Sequence, residues 1–109
     1  MMQWKTICRQ DDLVKNTGVC ARFGERQVAI FLCGKTDNLY AVDNYDPFGK
    51  ANVLSRGMIG SIGEKTVIAS PLYKQHFCLD SGQCIEDTAV SISTYPIRRE
   101  NGDIQIGVK

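Results

Sequence analysis

Apolar and polar residues alternate along this chain in short runs, and turn residues cut the runs at intervals of about 8–12 positions. Trp4 to Arg9 reads as a first strand, and Asp11-Asp12-Leu13 as a single helical turn or a bend. Gly18 to Phe23 and Arg26 to Cys33 alternate on either side of Gly24-Glu25, a hairpin turn. The turn cluster Gly34 to Asn38 leads into a strand from Leu39 to Asp43. Lys65 to Ala69 is a short buried strand. His76 to Leu79 and Gln83 to Ile85 make a small hairpin across Asp80-Ser81-Gly82. The chain ends with Ile97 to Arg99, an Asn101-Gly102 turn and Ile104 to Val108, and Asn-Gly between alternating runs is a strong hairpin signal. No segment sustains a helical period. The pattern predicts an all-β, antiparallel sandwich or barrel.

Two stretches break the rhythm. Asn44 to Gly63 is long, glycine-rich and carries Asp46-Pro47, and Ser70 to Gln75 carries Ser70-Pro71. Both read as loops set into the strand order, and no internal repeat or linker separates them from the rest. With 109 residues the chain is expected to form a single domain, 1–109, with a body of approximately 1–43 and 83–109 and an inserted two-loop subdomain of approximately 44–82.

Charge narrows the function classes. A net charge of +1 with scattered basic residues gives no field toward nucleic acid or an anionic membrane. The first residues lack the apolar core of a signal peptide, and no apolar run approaches the ~20 residues that span a bilayer. A cytoplasmic location is expected. Five cysteines, an odd number, argue against a disulfide framework. Cys8, Cys20 and Cys33 lie in apolar or alternating runs and read as small buried hydrophobes, while Cys78 and Cys84 flank the Asp80-Ser81-Gly82 turn.

Few residues offer chemistry. His76, Cys78 and Cys84, with Asp46, are the available metal donors, but zinc sites favour closely spaced ligand pairs and the chain has one histidine. His76 therefore reads as an exposed or hydrogen-bonded strand residue. The same scarcity leaves no thiol or Ser70 nucleophile with a suitable base. Gly57 to Gly63 resembles a phosphate loop but lacks the Gly-Lys-Ser/Thr ending and a following helix. No catalytic residue and no metal ligand is expected. Tyr45, Phe48, Tyr73 and Phe77 concentrate aromatic surface in or beside the two loops. They serve either to fill space or to dock a partner.

The two loops resemble the cluster-binding loops of Rieske proteins, Cys-x-His followed by Cys-Pro-x-His, in which two cysteines hold one iron and two histidines the other. Aligned to that pattern, Asp46 and Phe48 fill the first Cys and His positions and Ser70 and Tyr73 the second pair. The resemblance implies a Rieske-like β-sandwich whose iron–sulfur site has degenerated, with Phe48 and Tyr73 packing where inward-pointing histidines would be. Asn44-Tyr45-Asp46-Pro47-Phe48, Leu54-Ser55-Arg56-Gly57 and Ser70-Pro71-Leu72-Tyr73-Lys74-Gln75-His76-Phe77 are similar to the small subunits of NAD(P)H-dependent nitrite reductase. That similarity implies an accessory subunit of an enzyme that reduces nitrite to ammonia. FAD, NAD(P)H, sirohaem and an iron–sulfur cluster would then sit on the large subunit, and no cofactor on this chain. Tyr45, Lys50, Lys74 and Gln75 are the expected partner-binding residues. Two other readings stay open, a Rieske-type ferredoxin-like electron carrier and a free-standing interaction module of another reductase or oxygenase.

Overall fold

Val28, Ala29, Ile30, Phe31 and Leu32 are five consecutive buried residues, and they mark the strand around which the molecule is built. In the computed structural model, which describes residues 2–72 and 74–108, this strand is β3 (Arg26–Leu32). Side chains alternate across a strand. Ala29 and Phe31 therefore enter one core while Val28 and Ile30 enter another on the opposite face. A strand covered on both sides loses the apolar–polar alternation of a half-exposed one.

Twelve strands are arranged among the described residues. β1 (Gln3–Arg9), β11 (Ile97–Glu100) and β12 (Asp103–Val108) form one sheet in the order β1-β12-β11. β2 (Gly18–Phe23), β3, β4 (Leu39–Asp43) and β10 (Thr94–Tyr95) form a second in the order β10-β4-β3-β2. Ile104 and Ile106 of the first sheet and Ala21, Val28, Ile30 and Ala41 of the second make the core between them. Every pairing is antiparallel, and Gln3 opposite Val108 brings the two ends of the chain together.

The other face of β3 and β4 is covered by the segment between them and β10. It holds the two-stranded β5 (Tyr45–Asp46) and β6 (Ala51–Asn52), a 3-10 turn at Leu54–Arg56, and a sheet of β7 (Met58–Ile62), β8 (Lys65–Ala69) and β9 (His76–Cys78). Leu54, Ile68, Phe77 and Cys84 pack from this segment onto Phe31 and Val42. At Gly18 a Cβ would strike the backbone of Ser55, so only glycine lets β2 approach the 3-10 turn this closely.

Several expectations need correction. Gly57 to Gly63, read as part of the first loop, contains strand β7. Cys20 is exposed, because it shares a face with Arg22 and Gln27 and bonds to the Gln27 side chain instead of entering the core. In the small hairpin Cys84 lies opposite Phe77, and all five cysteines are free thiols. No helix of the described residues is long and apolar enough to cross a membrane.

Candidate functional site

The two loops have the same construction. Asp46-Pro47-Phe48-Gly49-Lys50 and Ser70-Pro71-Leu72-Tyr73-Lys74 share the order polar residue, proline, two residues, lysine. In the first, Asp46 O accepts from Lys50 N (2.7 Å) and Asp46 Oδ1 from Phe48 N (2.8 Å). In the second, Ser70 O accepts from Lys74 N (3.1 Å) and Ser70 Oγ from Leu72 N (3.3 Å). Both lysines close their loop with a positive φ, 55° for Lys50 and 60° for Lys74. The sequence reading, which found no internal repeat, missed this short one.

The loops meet through their polar residues. The Ser70 hydroxyl donates to Asp46 Oδ2, and both residues are buried, at 1% and 0% exposure respectively. Buried polar groups are costly unless paired, and here each finds its partner in the other or in its own loop backbone. Beside them the Leu72 side chain occupies the space a Cβ on Gly49 would need, so the two loops interlock at a glycine. Phe48 is half-buried and packs against the core, its ring 6.1 Å from that of Phe77. Tyr73 lies outside the described residues.

Two anchors hold this end to the body. Asn44, 1% exposed, uses all four of its hydrogen-bonding groups. Its backbone N–H donates to Gln27 O (2.9 Å) and its carbonyl accepts from Leu54 N (3.0 Å). Its side-chain Oδ1 accepts from Ser55 N (2.6 Å) and its Nδ2 donates to Gln27 Oε1 (3.1 Å). The second anchor is at the base of the other loop. His76 N donates to Glu86 Oε1 (2.7 Å), and the His76 ring pairs through Nδ1 with Glu86 Oε2 (2.6 Å). Burial pushes the Glu86 carboxyl up, but the hydrogen bonds from the backbone and ring of His76 outweigh it and hold the carboxyl below the usual range. His76 is thus a hydrogen-bonded strand residue, as expected.

The donor set does not fit a [2Fe–2S] cluster. In the two loops a carboxylate and a hydroxyl bond to each other instead of offering thiolates, and Phe48 brings no lone pair. Among the described residues no group of three His, Cys, Asp or Glu side chains is placed to hold a metal ion.

The expected partner-binding residues divide. Lys50 and Lys74 are exposed at matching corners of the two loops. Gln75 is half-buried and its amide oxygen is enclosed, with no hydrogen bond among the described residues, so this group does not present itself to a partner. Tyr45 is 43% exposed on the flank, where it lines a cavity of about 400 Å³ with Arg22, Arg26 and Asn52. Sequence reasoning missed Leu72, 47% exposed at the loop tip, and Asn44, whose side chain carries no recognisable pattern.

Residues 3–107 match the family model of the Rieske-like [2Fe-2S] domain. The nitrite reductase (NADH) small subunit of Escherichia coli K12 is 45% identical over 106 residues, covering 97% of this chain and 98% of that protein. A nitrite reductase [NAD(P)H] large subunit of Klebsiella oxytoca is 40% identical over 104 residues, 95% of this chain but 11% of that protein. The NMR structure of the E. coli protein NirD superposes with a TM-score of 0.89 at 44% identity, covering 99% of this chain and 98% of that one.

Proposed function

Since this chain belongs to the Rieske-like [2Fe-2S] domain family and, within it, to the nitrite reductase small subunits, we propose that it is an accessory subunit that works by binding the catalytic large subunit. The observation that carries this reading is full-length similarity to small subunits in a chain whose two loops are joined by the Asp46–Ser70 hydrogen bond. A related domain inside a Klebsiella large-subunit chain supports it, because fusion there keeps such a domain beside the rest of that chain.

The enzyme is an NAD(P)H-dependent nitrite reductase in the cytoplasm. FAD, sirohaem and an iron–sulfur cluster belong to the large subunit, and this chain binds none of them. The inserted segment, approximately 44–82, forms the partner-facing part, with Lys50 and Lys74 as rim charges and Tyr45 as an aromatic anchor. Rim charges speed association more than they add affinity, whereas truncating a buried interface tyrosine costs about 2 kcal/mol or more.

Reconstitution with the large subunit tests this. A Tyr45→Ala, Lys50→Glu, Lys74→Glu triple variant should stay folded, assemble poorly and lower nitrite reduction by the mixture. Normal assembly and activity of the folded variant would move the interface to the sandwich body. Near-stoichiometric iron and acid-labile sulfide in the purified chain would restore the electron-carrier reading.

A further inference from the structure

Strand β7, Met58-Ile59-Gly60-Ser61-Ile62, is the one long edge strand of the described residues that carries no charge and no proline. Exposed edges offer unpaired N–H and C=O groups, and proteins blunt them with charge, proline or cover. The other long edges follow that rule. β1 has Lys5 and Arg9, β11 has Arg98, Arg99 and Glu100, and β2 is covered by the Leu54–Arg56 turn. β7 has none of these.

The backbone groups that β7 leaves open can be identified. Ile62 and Lys65 face each other across the two-residue turn Gly63-Glu64, so they are the hydrogen-bonded pair that closes the hairpin. Bonding alternates along an antiparallel pair. Met58, Gly60 and Ile62 therefore bond inward to β8, while Ile59 and Ser61 turn their N–H and C=O outward. No backbone hydrogen bond outside the hairpin uses them among the described residues. On the opposite alternation Met58 is 76% and Ile62 39% exposed, with nothing near Gly60. A cavity of about 430 Å³ runs beside the strand, lined by Ile59 and Ser61 and, across from them, by Asn16, Cys33, Lys35 and Thr36.

We propose that this edge receives an extended, uncharged segment of the nitrite reductase large subunit, which adds a strand to the β7-β8-β9 sheet with its flank in the adjoining cavity. The proposal rests on the small-subunit reading above. Two observations favour this occupant over a second copy of the chain. Five residues of edge, roughly 17 Å, cover far less than the ~800 Å² per partner of a standard interface, so the edge serves a partner that also binds elsewhere. Met58 sits opposite Ala69, immediately before Ser70, so the edge runs directly into the loop end assigned to that partner. Main-chain bonds of this kind give affinity, and alternate side chains give specificity.

Amide hydrogen exchange of the labelled chain, free and in complex with the large subunit, tests it. The Ile59 and Ser61 amides should slow by about tenfold or more in the complex, whereas Gly60 and Ile62 are already protected by β8. Ser61→Pro removes an outward donor without touching the hairpin bonds and should weaken the complex by about tenfold at unchanged fold, as judged by circular dichroism. Ile62→Lys, which charges the edge, should do likewise. If the complex forms while Ile59 and Ser61 exchange as in the free chain, the edge proposal is wrong and the small-subunit reading survives. If no complex forms, both fail together. Protection of the two amides in the free chain that grows with its concentration would make a second copy the occupant and overturn the proposal.

Discussion

Lys50 and Lys74 stand at equivalent corners of the two loops, both in the left-handed region, each donating its N–H to the carbonyl four residues back. Glycine would occupy either corner without strain, and Gly49 lies one position too early to do so. Two lysines held at an unfavourable φ, one in each of the two joined loops, are the kind of local cost that collects at functional sites.

Lys50→Gly and Lys74→Gly should therefore each stabilise the isolated chain, by up to about 1 kcal/mol in a denaturant titration, since relief of the left-handed penalty exceeds the added chain entropy. The same variants should associate more slowly with the large subunit. Destabilisation by both would show that the lysine side chains make contacts that outweigh the strain.

The Asp46–Ser70 bond should behave as a coupled buried pair. Ser70→Ala leaves a buried carboxylate oxygen without its donor and should cost about 1–3 kcal/mol. A double-mutant cycle with Asp46→Asn should return a coupling energy above about 0.5 kcal/mol. Strict additivity in urea unfolding would show that the two side chains do not hold the loops together.

Phe48→Ala removes a ring that packs on Phe77 while remaining half-buried. The expected loss lies at the lower end of the range for core phenylalanine truncations, about 3 kcal/mol. An unchanged thermal midpoint would place the ring outside the packing of the loop.

Glu86 supplies a pH dependence. Its carboxyl is held below its ordinary value of 4.5 in the folded chain. The stabilisation it gives is full above that unfolded value and is lost as pH falls through the lower folded value, when the carboxylate takes up a proton. Glu86→Gln should thus lower the thermal midpoint at pH 7, and the gap from the parent should close as pH falls through the lowered folded value. A gap that stays constant down to pH 3 would assign the effect to something other than ionisation.

Much of the fold is written locally. Gly24-Glu25 and Asn101-Gly102 sit between alternating runs and turn where such residues should, the latter pair with φ of 53° and 82°. β5, β6 and β10 are two residues each, too short to carry a period, and they escaped notice. β7 was hidden because its glycines read as part of a loop. At the site the obstacle is different. Asp46 and Ser70 are 24 residues apart, and a polar residue beside proline reads as surface. Their burial depends on each other, and no window along the chain contains both. The matched Pro-x-x-Lys spacing was the one local signal that could have paired the loops. Asn44 gave none, since its four bonds come from the Gln27 end of β3 and from the 3-10 turn.

A hydrogen bond between a serine and an aspartate has no redox states and needs no delivery system. A loop end closed in this way takes shape as soon as the chain folds, whatever the supply of iron and sulfide, and oxygen cannot dismantle it. The subunit is then ready to meet its partner as soon as it has folded.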